Sequence, residues 1–180
     1  MTTPYTAIRQ WVVPDAAGRA TLAGVRTAGL HGNESGAFWL GVRARVAIVT
    51  AVILPRGKGV EENPGEWRVR PEVFGAISRW ARPRALTLLG VAHTHVHGVP
   101  ARLSWADRHR SVRVPGILAV VIGNCGADDN LGDWGWYVYD VSDYREILRT
   151  ELEQRVRANG PEPVEVWRAD SDGLWPVATA

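Results

Sequence analysis

The sequence predicts a single domain of the α/β or α+β class, in which a mixed β-sheet is flanked by helices. The chain has 180 residues, which is about the length of one domain and enough to bury a core without disulfides. Apolar residues make up 46% and charged residues 22% of the composition, as in ordinary globular proteins. Strand and helix patterns alternate without a repeating βαβ register, so we expect a mixed sheet rather than a parallel one.

The N-terminal part of the chain has the pattern of a strand, a helix and a hairpin. We predict a strand at Tyr5–Val13 and a helix that Asp15 caps and that ends near Gly29. Two apolar runs rich in β residues follow, Gly32–Val42 and Arg45–Leu54. Because only a short charged stretch separates them, they predict a β-hairpin.

The remaining elements follow from turn residues and apolar periodicity. Pro55–Pro71 is rich in Gly, Pro and charge, and we predict a loop there. We then predict helices at Pro71–Ala81 and about Asp143–Arg157, a buried strand at Ala85–Ala92, a short helix from Ser104, strands at Ile117–Gly123 and Trp134–Asp140, and an edge strand at Val164–Asp170. The domain is expected to span residues 1–160, with residues 161–180 as an edge strand and tail.

Composition also limits the compartment and the partners. Cys125 is the only cysteine, so an intramolecular disulfide is impossible, which fits a reducing compartment. The N-terminus lacks a basic start followed by a long apolar stretch, and the apolar runs are too short to span a membrane. We therefore expect a cytoplasmic protein without a membrane partner. Arginines gather in Arg68–Arg84 and Arg102–Arg113, but the formal charge is only +2, so a nucleic-acid partner is not expected.

Three histidines at alternate positions, His93, His95 and His97, follow the predicted buried strand. Residues two apart at a strand end point to the same side, so His93 and His95 can offer imidazoles to one ion, and a turn can bring Asp107 to a third position. A zinc ion with three protein ligands keeps a fourth position for water, whose pKa falls to about 7. This donor set is typical of a hydrolytic metal site. Exposed histidines without a function are the weaker interpretation of such a dense cluster.

The segment Ser104–Asp107, Ser-Trp-Ala-Asp, has the spacing of a capping box at the start of a helix. The Asp107 carboxylate then lies at the third helical position, close to the positive end of the helix dipole. Capping and metal binding are compatible, because the geometry that caps the helix also orients a ligand.

Two segments occur in a characteristic order along the chain. Glu34–Gly41 reads Glu-Ser-Gly-Ala-Phe-Trp-Leu-Gly and follows the predicted first helix, and Gly90–His95 reads Gly-Val-Ala-His-Thr-His and precedes Ser104–Asp107. Together they resemble the signature of the JAB/MPN (JAMM) metallopeptidases, in which a glutamate begins the first core strand and His-Ser/Thr-His is followed by Ser-x-x-Asp. The similarity is greatest to the bacterial branch and extends over roughly Thr21–Arg145.

The resemblance implies the JAB/MPN fold, which is related to that of the deaminases, and it implies a set of site residues. His93, His95 and Asp107 are expected to bind one catalytic Zn²⁺, with Glu34 as general acid/base and Ser104 stabilising the tetrahedral oxyanion.

The implied reaction is hydrolysis of the C-terminal tail of a ubiquitin-like protein, either in deconjugation or in precursor processing. The implied partners are that ubiquitin-like protein or its conjugate, together with conjugation enzymes from the same operon. Anti-phage conjugation and sulfur-carrier processing are two such systems, and the residues do not choose between them. A catalytically silent MPN scaffold is the alternative function, but such proteins typically lose a metal ligand.

The chain departs from the family pattern in two places. Val96 stands where the family usually has proline, and the gap from His95 to Ser104 is one residue longer than expected. Because an irregular loop absorbs an insertion without moving its ends, we place the extra residue around His97–Ala101. The helix start then keeps Asp107 in phase with the histidines.

A rival register would use His95 and His97 as the metal ligands. In that register Val96 replaces the expected Ser/Thr between the histidines, and the spacing to the upstream glycine is lost. We therefore prefer His93 and His95. His97 becomes a candidate substrate contact, with an exposed loop position as the simpler interpretation.

Two tryptophans and one segment are further candidates for substrate binding. Trp67 lies in the predicted loop and Trp105 in the metal helix, where either ring can contact an extended peptide, although burial is the role we expect first. The segment Pro55–Arg70 is a candidate lid over the site.

Overall fold

The computed structural model describes residues 7–160 and 163–177, which contain twelve strands and four α-helices. The start of the predicted first strand, at Tyr5, lies outside these ranges. The helices are α1 (Asp15–Gly29), α2 (Pro71–Ala81), α3 (Trp105–Arg110) and α4 (Arg149–Arg155). The strands are β1 (Gln10–Val12), β2 (Gly36–Val42), β3 (Val46–Pro55), β4 (Val60–Asn63), β5 (Glu66–Val69), β6 (Thr87–Thr94), β7 (Leu118–Ile122), β8 (Gly135–Tyr139), β9 (Tyr144–Glu146), β10 (Val156–Arg157), β11 (Glu165–Ala169) and β12 (Leu174–Pro176).

Ten of these strands form one mixed sheet with the order β10-β1-β3-β2-β6-β7-β8-β9. The strand β11 pairs in parallel with the second half of β3, and β12 pairs with β11. At the centre, β2 is antiparallel to β6, which is parallel to β7. The start of β2 therefore lies beside the end of β6, where Gly36 is opposite His93. This pairing brings the two sequence motifs together.

Helices cover both faces of the central sheet. Phe38, Trp39 and Leu40 are each at most 2% exposed, so neighbouring residues of β2 enter opposite cores. Burial of each such side chain contributes roughly 1.5–3 kcal/mol. The core that contains Trp39 includes α1 residues such as Leu22 and Val25. The core that contains Phe38 and Leu40 includes Val73, Ile77 and Ala81 of α2.

Most predicted elements are confirmed, and with them the mixed α/β class. The helix α2, the β2–β3 hairpin, the buried strand β6, the helix after Ser104 and the strands β7 and β8 are all present. The helix α1 has the predicted bounds, but Asp15 is its first residue rather than its cap. Pro14 occupies the cap position without a side-chain hydrogen bond, and Asp15 instead places a negative charge in the first turn. The first strand is shorter than predicted and begins at Gln10.

The predicted loop Pro55–Pro71 is wrong, because most of it forms the antiparallel hairpin β4–β5. A Pro-Gly turn closes the hairpin, and Gly65 has a φ of +80°, which suits the second central position of a type II turn. Charged residues on the outer face hide the strand pattern in the sequence. Trp67, Val60 and Val69 pack against the core around Phe38, so tertiary contacts stabilise this hairpin.

The predicted helix Asp143–Arg157 is also wrong over its first and last residues. The Asp140 carboxylate accepts hydrogen bonds from the Ser142 and Asp143 backbone N–H groups, and this turn directs Tyr144–Glu146 into β9 beside β8. The helix α4 is therefore limited to Arg149–Arg155. The local turn and the burial of Tyr144 outweigh the helical spacing of the apolar residues.

The strand predicted at Val164–Asp170 is present as β11, but it is not an edge strand. It pairs with β3 on one side and with β12, which was not predicted, on the other. Among the described residues, none of the helices has the length and apolar character needed to cross a bilayer.

Candidate metal centre and active site

The end of β6 places two histidines on the same side of the sheet. His93 pairs with Val121 of β7, and the backbone N–H of His95 donates to the Ile122 carbonyl, which extends the strand geometry by one residue. Residues two apart on a strand face the same way. The two Nε2 atoms are 3.3 Å apart, and the residues are only 7% and 5% exposed. The sheet thus holds both imidazoles rigidly below the surface.

The helix α3 brings Asp107 to the histidine pair. The Asp107 N–H donates to Ser104 Oγ over 3.1 Å, and the Ser104 N–H donates to Asp107 Oδ2 over 2.7 Å, which completes the predicted capping box. Asp107 Oδ1 lies 3.2 Å from His93 Nε2, and Oδ2 lies 3.2 Å from His95 Nε2. The capping bond therefore fixes the direction of the carboxylate, and Asp107 is in phase with the histidines.

The loop between His95 and Ser104, where the extra residue is expected, contains a tight turn. The Val99 N–H donates to the Val96 carbonyl, and Gly98 between them has a φ of +78°, a conformation that favours glycine. The same loop fixes the orientation of an imidazole, because His95 Nδ1 lies 3.0 Å from the Pro100 carbonyl oxygen. That contact favours the tautomer in which Nδ1 carries the proton and Nε2 is available as a ligand.

The three side chains have the arrangement of a metal site. Within the described ranges, His93, His95 and Asp107 form a group whose ligand atoms all lie within 4.8 Å of one another. Their closest separations of 3.2–3.3 Å match the distance of about 3.3 Å between ligand atoms that tetrahedral zinc sets with bonds of about 2.0–2.1 Å. Two imidazole nitrogens and a carboxylate also suit zinc chemically. The residues present therefore fit a zinc ion.

Electrostatics within the group depend on Asp107. Burial disfavours the charged form of Asp107, yet hydrogen bonds from His93 and His95 hold its pKa far below the ordinary range. Burial likewise disfavours protonation of His95, but its contacts with Asp107 and with the Pro100 carbonyl raise the pKa of that imidazole above its usual value. The arrangement attracts a positive charge, which is either a proton or a metal cation.

Glu34 lies beside this group, two residues before the start of β2. It is 8% exposed, and its backbone N–H donates to the Asn63 carbonyl of β4 over 3.0 Å. Burial raises the pKa of the Glu34 carboxyl, while His95 and His93 oppose the shift without reversing it. The backbone N–H of Val96 also interacts with this carboxylate and lowers its pKa. Proline, the usual family residue at that position, has no N–H to offer.

A cavity of about 400 Å³ connects these groups. Its lining contains Glu34 and the three candidate ligand residues together with several apolar side chains. Trp67 covers Phe38 with ring centroids 5.4 Å apart, and a side chain at Gly36 would overlap the Trp67 ring. The glycine of the Glu-Ser-Gly motif therefore makes room for the hairpin above the site. The apolar lining includes Phe38, Trp67, Val69, Phe74 and Val91.

Only some of the residues predicted to bind substrate line this cavity. Ser104 and Trp67 line the cavity, whereas His97 is exposed in the loop and outside the lining. Trp105 is 71% exposed and stacks on His109 with ring centroids 4.1 Å apart, so the expectation that it is buried is wrong. The geometry also favours the His93 and His95 register over the rival one that includes His97.

Two buried residues near the site were not identified as functional from the sequence. Thr94, between the histidines, accepts a hydrogen bond from the Ser35 N–H at Oγ1 over 2.9 Å, and its own N–H donates to the Ser35 carbonyl. These bonds join the residue after Glu34 to the residue between the ligands. The motif spacing was the available signal, since it requires a Ser or Thr between the histidines.

Comparison with known protein families identifies one that covers most of the chain. Residues 19–139 match the family model Prok-JAB, described as prokaryotic homologs of the JAB domain. The matched range begins within α1 and ends with β8, so it contains Glu34 and the three candidate ligands. No match was found among curated protein sequences.

Solved structures share the fold at low sequence identity. A protein from Desulfitobacterium hafniense aligns with a TM-score of 0.55 and 17% identity, covering 76% of this chain and 88% of its own. A protein from Salinibacter ruber aligns with a TM-score of 0.50 and 20% identity, covering 86% and 95%. A JAB1/MPN domain protein from Archaeoglobus fulgidus aligns at 0.41 and 15% identity, over 77% and 94%.

Proposed function

From the premise that the chain belongs to the prokaryotic homologs of the JAB domain, we propose that it is a zinc-dependent peptidase or isopeptidase. One observation carries the proposal. A buried carboxylate, Glu34, faces the same cavity as a convergent His-His-Asp group. A structural metal site needs no acid/base beside it, whereas hydrolysis does.

His93, His95 and Asp107 would hold the zinc ion through the atoms that already converge. A zinc ion held there supplies Lewis acidity toward water and toward a substrate carbonyl. The low pKa of Asp107 keeps this ligand ionised at any physiological pH.

Glu34 accepts the proton of the attacking water and later donates it to the leaving amine, because a single carboxylate can serve as base and then as acid. Its burial at 8% exposure raises its pKa toward the working range of such a group. Ser104 lines the cavity, and a hydroxyl that accepts one hydrogen bond from the Asp107 N–H can still donate another. That donor assists the developing oxyanion.

The substrate is the C-terminal tail of a ubiquitin-like protein, alone as a precursor or joined to a lysine. The cavity supports a peptide substrate, since its lining combines the polar group with apolar side chains of β2 and of the β4–β5 hairpin. The hairpin strands pair only with each other among the described residues, which leaves backbone groups for an added strand. Partners from the same operon, including conjugation enzymes, supply the conjugate. The protein acts in the cytoplasm, where its single thiol stays reduced.

The first experiment is cleavage of a ubiquitin-like fusion by the wild-type protein and by Glu34→Gln, with metal analysis of both. We expect about one zinc per chain in each, following the logic of a site with three protein ligands. We expect cleavage only by the wild type, because the variant keeps the ligands but has no proton acceptor at residue 34.

His93→Ala serves as the control for the metal, and it should lose both zinc and activity. Retention of full cleavage by Glu34→Gln would remove that residue from the mechanism. A wild-type protein that binds zinc but cleaves no fusion or conjugate would contradict the enzymatic proposal and favour a binding scaffold.

A further inference from the structure

A chain of polar contacts connects the β4–β5 hairpin to the strand that follows Glu34. Ser35 Oγ donates to Glu62 Oε1 of β4 over 2.6 Å. One residue earlier, the Glu34 N–H donates to the Asn63 carbonyl. The hairpin is thus bound to two successive residues, one of which is the proposed acid/base.

Ser35 connects this hairpin to the metal-binding strand as well. It is fully buried, and its backbone N–H and carbonyl both bond to Thr94 between the two histidine ligands. Ser35 therefore contacts the hairpin through its side-chain hydroxyl and β6 through its backbone. Rotation of this residue would displace Glu34 relative to the ligands.

Arg56 holds Glu62 in place. Its Nη1 donates to Glu62 Oε1 over 2.9 Å, and the side chains of Arg56 and Glu62 are 12% and 23% exposed. Nη2 donates to the Gly24 carbonyl of α1 over 2.9 Å. Burial lowers the pKa of the Arg56 guanidinium, and the facing Glu62 carboxylate opposes that shift. A mostly buried ion pair with extra hydrogen bonds has one favourable geometry, which makes it a stiff anchor.

The two faces of the β4–β5 hairpin also indicate that Glu62 points toward Ser35 and the cavity side of the hairpin. Glu62 is directly opposite Trp67 in the β4–β5 ladder, so both side chains lie on one face. Trp67 packs on Phe38 at the cavity, and Glu62 reaches Ser35. Glu61 lies on the other face, where it pairs with Arg70 at the surface.

We propose that Glu62 is a positioning residue that, through Ser35, sets the place of Glu34 beside the metal ligands. The proposal rests on the function proposed above, in which Glu34 transfers the proton. The β4–β5 hairpin is then part of the catalytic apparatus and not a lid that opens independently. Substrate that docks against the hairpin acts on Glu34 through the same contacts.

The test uses Glu62→Met, Ser35→Ala and the double variant in the full chain. Glu62→Met keeps nearly the size of the side chain but has no oxygen to accept the hydrogen bond from Ser35 Oγ. We expect each single variant to lower kcat on the order of tenfold to a hundredfold, as for a displaced catalytic group. KM and zinc content should stay as in the wild type. The double variant should be no slower than the slower single variant, because both changes break one connection.

Hydrogen exchange at the Glu34 amide provides a readout that does not need activity. This amide donates to Asn63 in the hairpin, so its exchange should accelerate in both single variants. Glu61→Met, on the outer face of the same strand, is the matched control and should change neither kcat nor this exchange.

Wild-type kcat and unchanged Glu34 exchange in both single variants would overturn the proposal. So would a loss of kcat that follows loss of zinc or of folded protein in equal measure, because the role would then be structural. If the wild-type protein cleaves no conjugate, the proposed function fails, and the exchange measurement alone decides whether Glu62 positions Glu34.

Discussion

At the scale of single residues, the site consists of groups whose charges depend on one another. His95 lies between Asp107 and the Pro100 carbonyl, and these contacts raise its pKa although burial opposes protonation. Asp107 is held ionised by the two histidines. Val96 contributes only its backbone, yet its N–H reaches Glu34 where a proline could not. Val96 thus adds a backbone contact to Glu34, the proposed acid/base.

Zinc affinity should fall as the pH falls through the raised pKa of His95. A proton and the metal compete for Nε2, and in the metal-free protein that pKa lies above the ordinary value of 6.5. At a pH below this pKa the His95 imidazole is protonated, and at a higher pH Nε2 is available to bind the metal. Competition titrations with a chromophoric chelator, on both sides of that value, will measure the change. His97→Gln should give the same curve as the wild type, and a zinc affinity independent of pH would contradict the assignment of His95.

At the scale of elements, the short helix α3 positions the Asp107 carboxylate beside the two histidines. It has six residues, too few to be stable alone, and it begins at the Ser104 capping box. The cap satisfies backbone N–H groups and directs Asp107 toward the histidines in the same contacts. The helix therefore depends on its cap, and the metal site depends on the helix.

Ser104→Ala should lower both stability and zinc affinity. Loss of an N-cap side chain costs about 0.5–2 kcal/mol, and Asp107 loses the contact that orients it. Ser104→Asn should keep most of both, because asparagine is an equally good cap. Denaturant midpoints and zinc competition will test this. Equal zinc affinity in all three proteins would show that the cap does not place Asp107.

At the scale of the whole molecule, the site lies where separate parts of the sheet meet. The end of β6 supplies two candidate ligands and α3 the third, and the proposed acid/base Glu34 lies just before β2. A metal that binds this native arrangement and not the unfolded chain must stabilise the whole domain by linkage.

Removal of zinc should lower the melting temperature. At a metal concentration of 100 times Kd the linkage is worth about 2.7 kcal/mol, which corresponds to about 5–10 °C for a domain of this size. Calorimetry with and without a chelator will measure the shift. Asp107→Asn should show little metal-dependent shift, and a wild-type melting temperature insensitive to zinc would contradict the site.

Local sequence patterns were sufficient to predict the features that short-range interactions determine. The alternate spacing on β6 predicted the same side for His93 and His95, the Ser-x-x-Asp spacing predicted the α3 cap, and continuous apolar runs predicted buried strands. The direction of the Asp107 carboxylate also follows from short-range geometry, since the Ser104 cap orients it. Strand periodicity and capping act over a few residues, so they can be read directly from the sequence.

Only the tertiary structure decided the rest. The β4–β5 hairpin depends on Trp67 packing against Phe38, and the link from Arg56 through Glu62 to Ser35 joins residues from three elements. Tyr144 enters a strand because β8 is beside it, against its helical spacing. Contacts of this kind are set by which distant segments meet in the fold. The sequence by itself therefore determined the candidate metal ligands, whereas the contacts around Glu34 became visible only once the chain was folded.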